Sequence, residues 1–240
     1  MGTLYAIGVG PGAPDLLTLR AVNALGKVQV ILTAASSNND YSLALSIAMP
    51  HLKPDVRIER LDFPMTRDKT VLKAAWSRAA ETTATILREG RDVAFLTLGD
   101  PLIYSTFAYL WRALTEIAPQ TRVEIVSGIT SFQAAAARLN MSLCESAEPL
   151  VVIPGIIPED ELTKLLDAPG GAAILKVYRN YAAIDRALAK TGRDKNCAMA
   201  SAVEQEGESL RKGSPKTKPP YMTLILCEPR DRATGQMDEK

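Results

Sequence analysis

The sequence predicts an α/β fold made of two α/β domains. Short apolar segments typical of buried strands alternate with amphipathic helical segments along the whole chain. The clearest of these strands, residues 93–98, is apolar apart from one threonine, so we expect helices to cover both of its faces. Pro119 ends one strand–helix series and a second series follows it. The predicted domains are therefore residues 1–118 and 119–240.

Composition narrows the function classes. The 240-residue chain holds 28 basic and 27 acidic residues, a balance that argues against binding nucleic acid through bulk charge. His51 is the single histidine, so one chain holds neither a histidine-based catalytic triad nor a multi-histidine metal site. Cys144, Cys197 and Cys227 are widely spaced, which predicts buried free thiols and no protein-bound metal. Without an apparent membrane span or signal peptide, we expect a cytoplasmic protein with no membrane partner.

The first predicted domain begins with a strand at residues 3–9 that runs into a glycine-rich turn. A helix over residues 16–25 follows, with Leu17, Ala21, Ala24 and Leu25 on its inner face. The next predicted elements are a strand at 28–32, a short helix at 42–48, a near-edge strand at 56–61, a turn at 63–68 and a long helix at 69–89. The strand at 93–98 comes next, and the helix after it has Ser105 or Thr106 as its N-cap.

The second predicted domain repeats this alternation. Its predicted elements are strands at 122–126, 150–153, 172–178, 196–203 and 221–227, with helices ending at 139 and covering 159–166 and 181–190. A polar loop separates the last two strands and carries a basic run at 211–218. Such a run is either a solvated connection or a flap that binds carboxylates, and the residues alone leave both interpretations open.

The turn after residues 93–98 is the first candidate site. Asp100, Tyr104, Ser105 and Thr106 bring polar groups to the end of an apolar strand, the place where ligands bind in α/β sheets. Gly99 allows the backbone to approach a ligand closely. The structural alternative is that the carboxylate satisfies backbone donors while a hydroxyl caps the helix, and it also remains open.

The first glycine turn formally satisfies a relaxed dinucleotide-binding fingerprint, Gly8-x-Gly10-x-x-Ala13. Pro11 and Pro14 remove two backbone donors that a phosphate would need. The second strand also lacks an acidic residue at its end to bind a ribose. The turn is therefore disfavoured as a nicotinamide or flavin site.

Three motifs resemble the signatures of the tetrapyrrole (corrin/porphyrin) methylases. Residues 4–19 resemble the N-terminal signature and Gly99-Asp100-Pro101 the second; residues 127–131 resemble the third, with Ser127 where proline is usual. Residues 63–68, 96–107 and 221–224 are similar to the subgroup that methylates C20 of precorrin-2 or cobalt-factor II in cobalamin synthesis. The resemblance extends from residue 3 to about residue 228.

The resemblance implies a class III methyltransferase fold, with two α/β domains and a trough between them. It also implies a homodimer that binds S-adenosyl-L-methionine, releases S-adenosyl-L-homocysteine and acts on a tetrapyrrole. Matched motif by motif, the implied cofactor-binding residues are Pro11, Leu98, Gly99, Asp100, Ile103, Ser105, Thr106, Thr130, Ser131, Lys176, Val177, Ala202 and Thr223.

Catalytic and substrate roles follow as hypotheses. Asp100 would orient the cationic cofactor, while Tyr104 would line the tetrapyrrole pocket or move a proton. Arg67, Lys69, Arg179 and the run at 211–218 are candidate clamps for the carboxylates of the acceptor.

Alternative functions within the same fold are another tetrapyrrole methylase, such as a uroporphyrinogen III C-methyltransferase, and methylation of ribosomal RNA or of a modified histidine. A non-catalytic S-adenosyl-L-methionine-binding module is the alternative outside enzymes. The sequence does not separate metal-free from cobalt-containing acceptors, because the acceptor itself brings the ion.

Overall fold

Two five-stranded sheets organise the part of the chain that the structure describes, residues 1–35 and 42–230. The structure is a computed structural model. The chain divides into two compact units, Met1–Thr130 and Ser131–Lys240, and each unit contains one sheet flanked by helices. The predicted α/β class is confirmed.

The first sheet is entirely parallel. Its strands are β1 (Thr3–Gly8), β2 (Val30–Ala35), β3 (Arg57–Asp62), β4 (Val93–Thr97) and β5 (Arg122–Val126), in the order β3-β2-β4-β1-β5. The helices of this unit are α1 (Leu19–Leu25), α2 (Leu43–Ala48), α3 (Lys69–Arg88) and α4 (Phe107–Ile117). Because all strands run the same way, the turns after them lie at one edge of the sheet.

Strand β4 is buried along its whole length, as its apolar sequence predicts. One face of the sheet packs Phe95 into a core with Phe107 and Leu110 of α4. The other face packs Leu96 into a core with Leu25 of α1. Residues on alternate sides of β4 therefore contribute to two separate cores, which fixes the position of the turn that follows the strand.

The predicted helix at 16–25 is shorter than expected. A single 3-10 turn occupies Pro14–Leu16, and α1 begins at Leu19. The Oγ1 atom of Thr18 caps it by accepting a hydrogen bond from the backbone N–H of Ala21 (3.1 Å). The predicted inner face is nevertheless correct, since Leu17, Ala21, Ala24 and Leu25 are all buried.

The first unit extends beyond the predicted boundary at Pro119. Strand β5 was assigned to the second domain, but it pairs in parallel with β1, with Ala6 opposite Ile125. The unit therefore ends at Thr130. Pro119 does follow the end of α4, but a helix terminator does not indicate which sheet receives the next strand.

The second sheet is mixed. Its strands are β6 (Leu150–Pro154), β7 (Gly171–Leu175), β8 (Cys197–Ser201), β9 (Ser209–Lys212) and β10 (Thr223–Cys227), in the order β6-β7-β10-β8-β9. Only β6 and β7 are parallel, whereas β10 runs antiparallel to both of its neighbours. The helices of this unit are α5 (Ser131–Leu139), α6 (Glu159–Asp167) and α7 (Tyr181–Lys190).

Strand β9 was predicted as part of a polar loop. It is a short edge strand that pairs with β8, with Lys212 opposite Ala198. Arg211 and Lys212 are exposed on it, so its sequence carries little of the apolar pattern by which strands are recognised.

The cysteine prediction is correct at two positions and wrong at one. All three are free thiols; Cys197 and Cys227 are buried, whereas Cys144 is exposed. The two buried residues lie opposite each other on β8 and β10. A hydrogen bond with Cys197, together with burial, raises the pKa of the Cys227 thiol, which keeps it protonated.

Within residues 1–35 and 42–230, no helix is both long and apolar enough to cross a membrane. Over the same residues, no group of three or more histidine, cysteine, aspartate or glutamate side chains is arranged to hold a metal ion.

Candidate functional site

Three turns meet at the carboxyl edge of the first sheet, after the adjacent strands β4, β1 and β5. The backbone N–H of Gly99 donates to the carbonyl oxygen of Gly10 (2.7 Å), and the reciprocal bond from Gly10 to Gly99 measures 3.4 Å. One residue earlier, the N–H of Val9 donates to the carbonyl of Thr97 (3.0 Å). The turn after β4 is thereby joined to the turn after β1.

Glycines make this contact possible. A Cβ atom at Gly8 or at Gly128 would collide with the carbonyl oxygen of Gly99, so the three backbones touch where no side chain fits. Gly99 also has a φ of +70°, which favours glycine. Backbone packing thus accounts for Gly8, which removes one of the reasons to interpret its motif as a phosphate-binding turn.

Asp100 connects the turn after β4 to the turn after β5. Its Oδ2 atom accepts a hydrogen bond from the backbone N–H of Gly128 (3.1 Å), and its Oδ1 atom accepts one from the N–H of Leu102 (2.8 Å). The structural alternative considered from the sequence is therefore present. Each carboxylate oxygen has two lone pairs, so the half-buried side chain can accept further hydrogen bonds from a ligand.

Ser105 caps the helix that follows. Its Oγ atom accepts a hydrogen bond from the N–H of Phe107 (3.1 Å) and lies 2.8 Å from Oγ1 of Thr97, which is buried. Thr106 directly precedes α4 but makes no side-chain cap bond. Of the two predicted caps, Ser105 therefore fills the role.

Three exposed side chains, Leu102, Ile103 and Tyr104, form what we call the ledge. Their exposed fractions are 56%, 42% and 46%, although two of them are purely apolar. Tyr104 has a φ of +51°, a backbone conformation that costs a non-glycine residue free energy and is found disproportionately at functional sites. The ledge provides an apolar surface next to the carboxylate of Asp100.

The predicted clamp residues lie after β3, at the same edge of the first sheet: Arg67 is on the turn and Lys69 is the first residue of α3. Asp68 between them caps α3, its Oδ1 atom accepting hydrogen bonds from the N–H groups of Thr70 (2.8 Å) and Val71 (3.3 Å). Arg67 and Lys69 are both exposed. Strand β2 separates β3 from β4, so these cations lie apart from the turn of Asp100.

The predicted residues of the second unit lie together at one edge of the second sheet. Because β10 is antiparallel to β7 and β8, its first residue, Thr223, lies beside the ends of both strands. Those ends are followed by Lys176 and Ala202, whose φ values of 60° and 47° are left-handed. Val177, directly after Lys176, is buried.

Side-chain hydrogen bonds hold this second edge. The hydroxyl groups of Ser201 and Thr223 are 2.7 Å apart, and Oγ1 of Thr223 also donates to the carbonyl oxygen of Pro220 (2.8 Å). The N–H of Ala202 donates to the carbonyl oxygen of Met222 (2.9 Å). Ser131, the remaining predicted residue of this unit, begins α5, and α5 packs against β10.

The basic run at 211–218 divides into parts with different surroundings. Arg211 and Lys212 belong to β9, and Lys212 lies near the opposite edge of the sheet from Thr223. Lys216 forms an ion pair with Asp185 of α7 (2.9 Å). Lys218 lies over the ring of Tyr178. Tyr178 directly precedes Arg179, the exposed candidate clamp residue. The sequence alone does not reveal this division, because the four cations are nearly adjacent in it.

Three residues with defined roles were missed from the sequence. Tyr178 and Asp185 contact the basic run, and nothing in their local sequence distinguishes them from ordinary strand and helix residues. Arg193 is 2% exposed, although an arginine beside Gly192 and Asp194 is typical of a solvated turn.

Comparisons with known proteins show the family to which the chain is similar. A profile of the family described as Tetrapyrrole (Corrin/Porphyrin) Methylases matches residues 3–217. The cobalt-precorrin-2 C(20)-methyltransferase of Salmonella typhimurium is 35% identical over 229 residues, covering 94% of this chain and 95% of that protein. The precorrin-2 C(20)-methyltransferase of a Sinorhizobium species is 32% identical over 245 residues, with coverage of 94% and 95%.

Solved structures share the fold. A cobalt precorrin-4 methyltransferase superposes with a TM-score of 0.74 at 21% identity, covering 94% of each chain. The uroporphyrin-III C-methyltransferase of Thermus thermophilus, crystallised with S-adenosyl homocysteine, superposes with a TM-score of 0.67 at 19% identity, covering 95% of this chain and 98% of that one. The resemblance inferred from the three motifs is confirmed, and the chain belongs to the tetrapyrrole (corrin/porphyrin) methylase family.

Proposed function

We propose that this protein is an S-adenosyl-L-methionine-dependent methyltransferase that methylates C20 of precorrin-2 or cobalt-factor II in cobalamin biosynthesis. The observation that carries the proposal is the similarity, over 94% of the chain, to two proteins named as C(20)-methyltransferases of precorrin-2 and cobalt-precorrin-2. The C20-like motifs at 63–68 and 96–107 are consistent with it, since they lie at the carboxyl ends of β3 and β4, at one edge of the first sheet.

The carboxyl edge of the first sheet suits a cationic, partly apolar cofactor. The carboxylate of Asp100 provides negative charge, and Ile103 in the ledge provides apolar surface. In the first unit, we propose as cofactor contacts Pro11, Leu98, Gly99, Asp100, Ile103, Ser105, Thr106 and Thr130. In the second unit, the matching positions are Ser131, Lys176, Val177, Ala202 and Thr223.

S-adenosyl-L-methionine, when bound, supplies a methyl group already activated by its sulfonium. The protein then has to align the donor and acceptor carbons and exclude water, which needs no covalent help from a side chain. We assign orientation of the cation to Asp100, whose two bonds to backbone N–H groups hold the carboxylate in place. Tyr104, fixed in a left-handed conformation, would face the acceptor or move a proton at its hydroxyl group.

The acceptor carries several carboxylates, which calls for cations at the site. Arg67 and Lys69 on the first unit and Arg179 on the second are exposed, and we propose them as clamps.

We also propose that the protein works as a cytoplasmic homodimer. Light scattering coupled to size-exclusion chromatography tests the dimer, and a monomeric mass would refute it.

A paired anaerobic assay tests the activity. Purified protein and S-adenosyl-L-methionine are offered precorrin-2 and cobalt-factor II separately; the product is identified by mass spectrometry and the methyl position by NMR. We expect methylation at C20 of at least one acceptor, and the pair of results identifies which one. Methylation at another carbon, or of uroporphyrinogen III alone, would replace the proposal with another tetrapyrrole methylase. Cofactor binding without transfer to any tetrapyrrole would indicate a non-catalytic module.

A further inference from the structure

The segment between β9 and β10, residues 213–222, is anchored to α7; we call it the connector. The Oγ atom of Ser214 donates a hydrogen bond to Oδ1 of Asp185 (2.5 Å), and the Nζ atom of Lys216 donates to the same oxygen (2.9 Å). Ser214 and the adjacent Pro215 are buried, whereas Lys216 is exposed. One carboxylate on α7 thus fixes two positions of the connector.

The connector is fastened a second time near the edge of Thr223. The Nζ atom of Lys218 lies 4.2 Å from the centroid of the Tyr178 ring, within the range of a cation–π interaction. The ring of Tyr221 packs edge-on against the same ring, with 5.8 Å between centroids. Tyr178 lies in the 3-10 turn Val177–Arg179 that follows β7. The connector therefore returns to the edge where Lys176 and Thr223 lie.

Lys216 and Lys218 differ in whether a carboxylate neutralises their positive charge. The hydrogen bond with Asp185 raises the pKa of Lys216. Burial raises the pKa of Asp185, but hydrogen bonds from Lys216 and Ser214 outweigh it and lower that pKa overall. Lys216 and Asp185 therefore neutralise each other. Lys218 instead rests on an aromatic face, which compensates little of its charge and leaves ammonium donors available to an anion.

We propose that Lys218, Tyr178 and Arg179 form a subsite for carboxylates of the tetrapyrrole acceptor, and that Asp185 is the positioning residue that holds Lys218 there through the connector. The inference rests on the proposed function, and it deepens that function by assigning the acceptor's carboxylates to particular residues. Lys218 gives a point charge supported by the Tyr178 ring, and Arg179 offers a planar fork that can bind a carboxylate with two hydrogen bonds. Lys216 and Lys212 are excluded, the first by its ion pair and the second by its place near the far edge of the sheet.

Equilibrium binding of cobalt-factor II, followed by its visible absorbance, tests the subsite. We expect Lys218→Met to raise the Kd for cobalt-factor II about tenfold, a typical value for losing one charge-assisted contact. Asp185→Asn should have a similar effect, and the double variant should bind no more weakly than either single variant does. Asp185→Glu, which keeps the carboxylate, should recover most of the affinity. In turnover, KM for the acceptor should rise while kcat and the affinity for S-adenosyl-L-homocysteine stay unchanged.

Matched controls separate this role from general loss of structure. Asp167→Asn breaks an exposed ion pair with Arg230 (2.9 Å) at the amino end of β7, the opposite edge of the sheet. Lys195→Met removes an exposed cation just before β8, at that same far edge. Both variants should bind cobalt-factor II as the wild type does. Added salt should weaken acceptor binding to the wild type more than to Lys218→Met.

An unchanged Kd for Lys218→Met would overturn the subsite even if the wild type methylates C20. If Asp185→Asn bound cobalt-factor II more weakly while Lys218→Met bound it as the wild type does, Asp185 would have a structural role only. That result would overturn the inference as well. Binding that responds to the variants as expected, without methyl transfer by the wild type, would refute the proposed activity and leave the subsite standing.

Discussion

The two units hold their candidate site edges together by different means. In the first unit, the turns after β1, β4 and β5 touch backbone to backbone, and glycines at positions 8, 99 and 128 make the contact possible. In the second unit, the edge is held by side-chain hydroxyl groups, such as those of Ser201 and Thr223. The contact between the turns of the first edge therefore requires glycine at these positions, whereas the second edge includes a bonded pair of hydroxyl groups.

The opposite end of the second unit adds a buried arginine to its backbone contacts, such as the bond from the N–H of Gly171 to the carbonyl oxygen of Pro149 (2.9 Å). Arg193 donates to four carbonyl oxygens, those of Leu166 (2.6 Å), Ala168 (2.7 Å), Gly170 (2.9 Å) and Glu228 (3.0 Å). Desolvation by burial lowers the pKa of this guanidinium, so its burial has a cost that the four bonds offset. Polar side chains thus contribute hydrogen bonds at both ends of the second unit.

The largest loss of stability is expected from replacing Arg193. Arg193→Met removes four hydrogen bonds to backbone carbonyl oxygens, of which that of Leu166 keeps a bond from Arg230 (3.2 Å), and should destabilise the second unit by about 4 kcal/mol. Hydrogen exchange followed by mass spectrometry measures this loss in peptides of the second unit. Arg186→Met, which removes an exposed cation paired with Glu159, should change stability by less than about 0.5 kcal/mol. A loss below about 1 kcal/mol for Arg193→Met would contradict the comparison.

The corresponding test of the first unit adds a single methyl group. In Gly128→Ala the new Cβ meets the carbonyl oxygen of Gly99, so the turns must separate, at a cost of about 3 kcal/mol. Both tryptophans, Trp76 and Trp111, lie in this unit, so tryptophan fluorescence during denaturant unfolding reports on it alone. Gly26→Ala is the matched control, because its φ is −67° and its Cβ would make only ordinary contacts. Equal stability of the two variants would show that the turns are not packed as described.

Sequence reasoning recovered the elements whose signal is local. Residues 93–98 are apolar and bounded by Gly99, so both the strand and the turn with Asp100 were predicted in place. The inner face of α1 was equally visible, because helical periodicity depends on residues three and four apart. The cofactor positions came from motif resemblance, and they follow strands at one edge of each sheet.

The misses depend on contacts between distant segments. Strand β5 follows Pro119, and only its pairing with β1 assigns it to the first sheet. Strand β9 is exposed and basic, so only its pairing with β8 reveals it. Arg193 is buried because four carbonyl groups from two separate segments, residues 166–170 and Glu228, surround it. No window of sequence contains such information, which is why the boundary and the structural arginine could not be predicted.

Asp100 sharpens the comparison, because its carboxylate connects two turns that also touch backbone to backbone. Asp100→Asn replaces one carboxylate acceptor with a donor facing the N–H of Gly128 or that of Leu102, and should cost about 1–2 kcal/mol. Asp92→Asn is the matched control, since Oδ1 of Asp92 also accepts a backbone hydrogen bond, from Thr3 (2.7 Å), at the opposite edge. Calorimetric titration with S-adenosyl-L-methionine then separates the two roles. We expect about tenfold weaker binding for Asp100→Asn and unchanged binding for Asp92→Asn. Equal affinity in both variants would make Asp100 a purely structural residue.

The smallest expected effect is a loss of folding stability at low pH. It tests whether ion pairs contribute to the stability of the second unit. Glu159 on α6 accepts hydrogen bonds from Arg186 (2.8 Å) and Lys190 (2.7 Å) of α7. The bond from Arg186, followed by that from Lys190, lowers the pKa of Glu159 from 4.5 to about 2. A carboxyl group whose pKa is lower in the folded state stabilises the fold above its unfolded pKa, and this contribution disappears as the pH falls through the folded pKa.

The stability difference between the wild type and Glu159→Gln should therefore be constant near neutral pH and shrink between about pH 4.5 and pH 2. Hydrogen exchange in peptides of α6 and α7 measures it, and Glu161→Gln, which changes an exposed residue of the same helix, should show no such trend. Tryptophan fluorescence over the same range follows the first unit in parallel. A difference that does not depend on pH would mean that the ion pairs of Glu159 contribute nothing to the folded state. The contrast between the units would then rest on Arg193 and on the hydroxyl pair of Ser201 and Thr223, whose bonds involve no carboxylate to protonate.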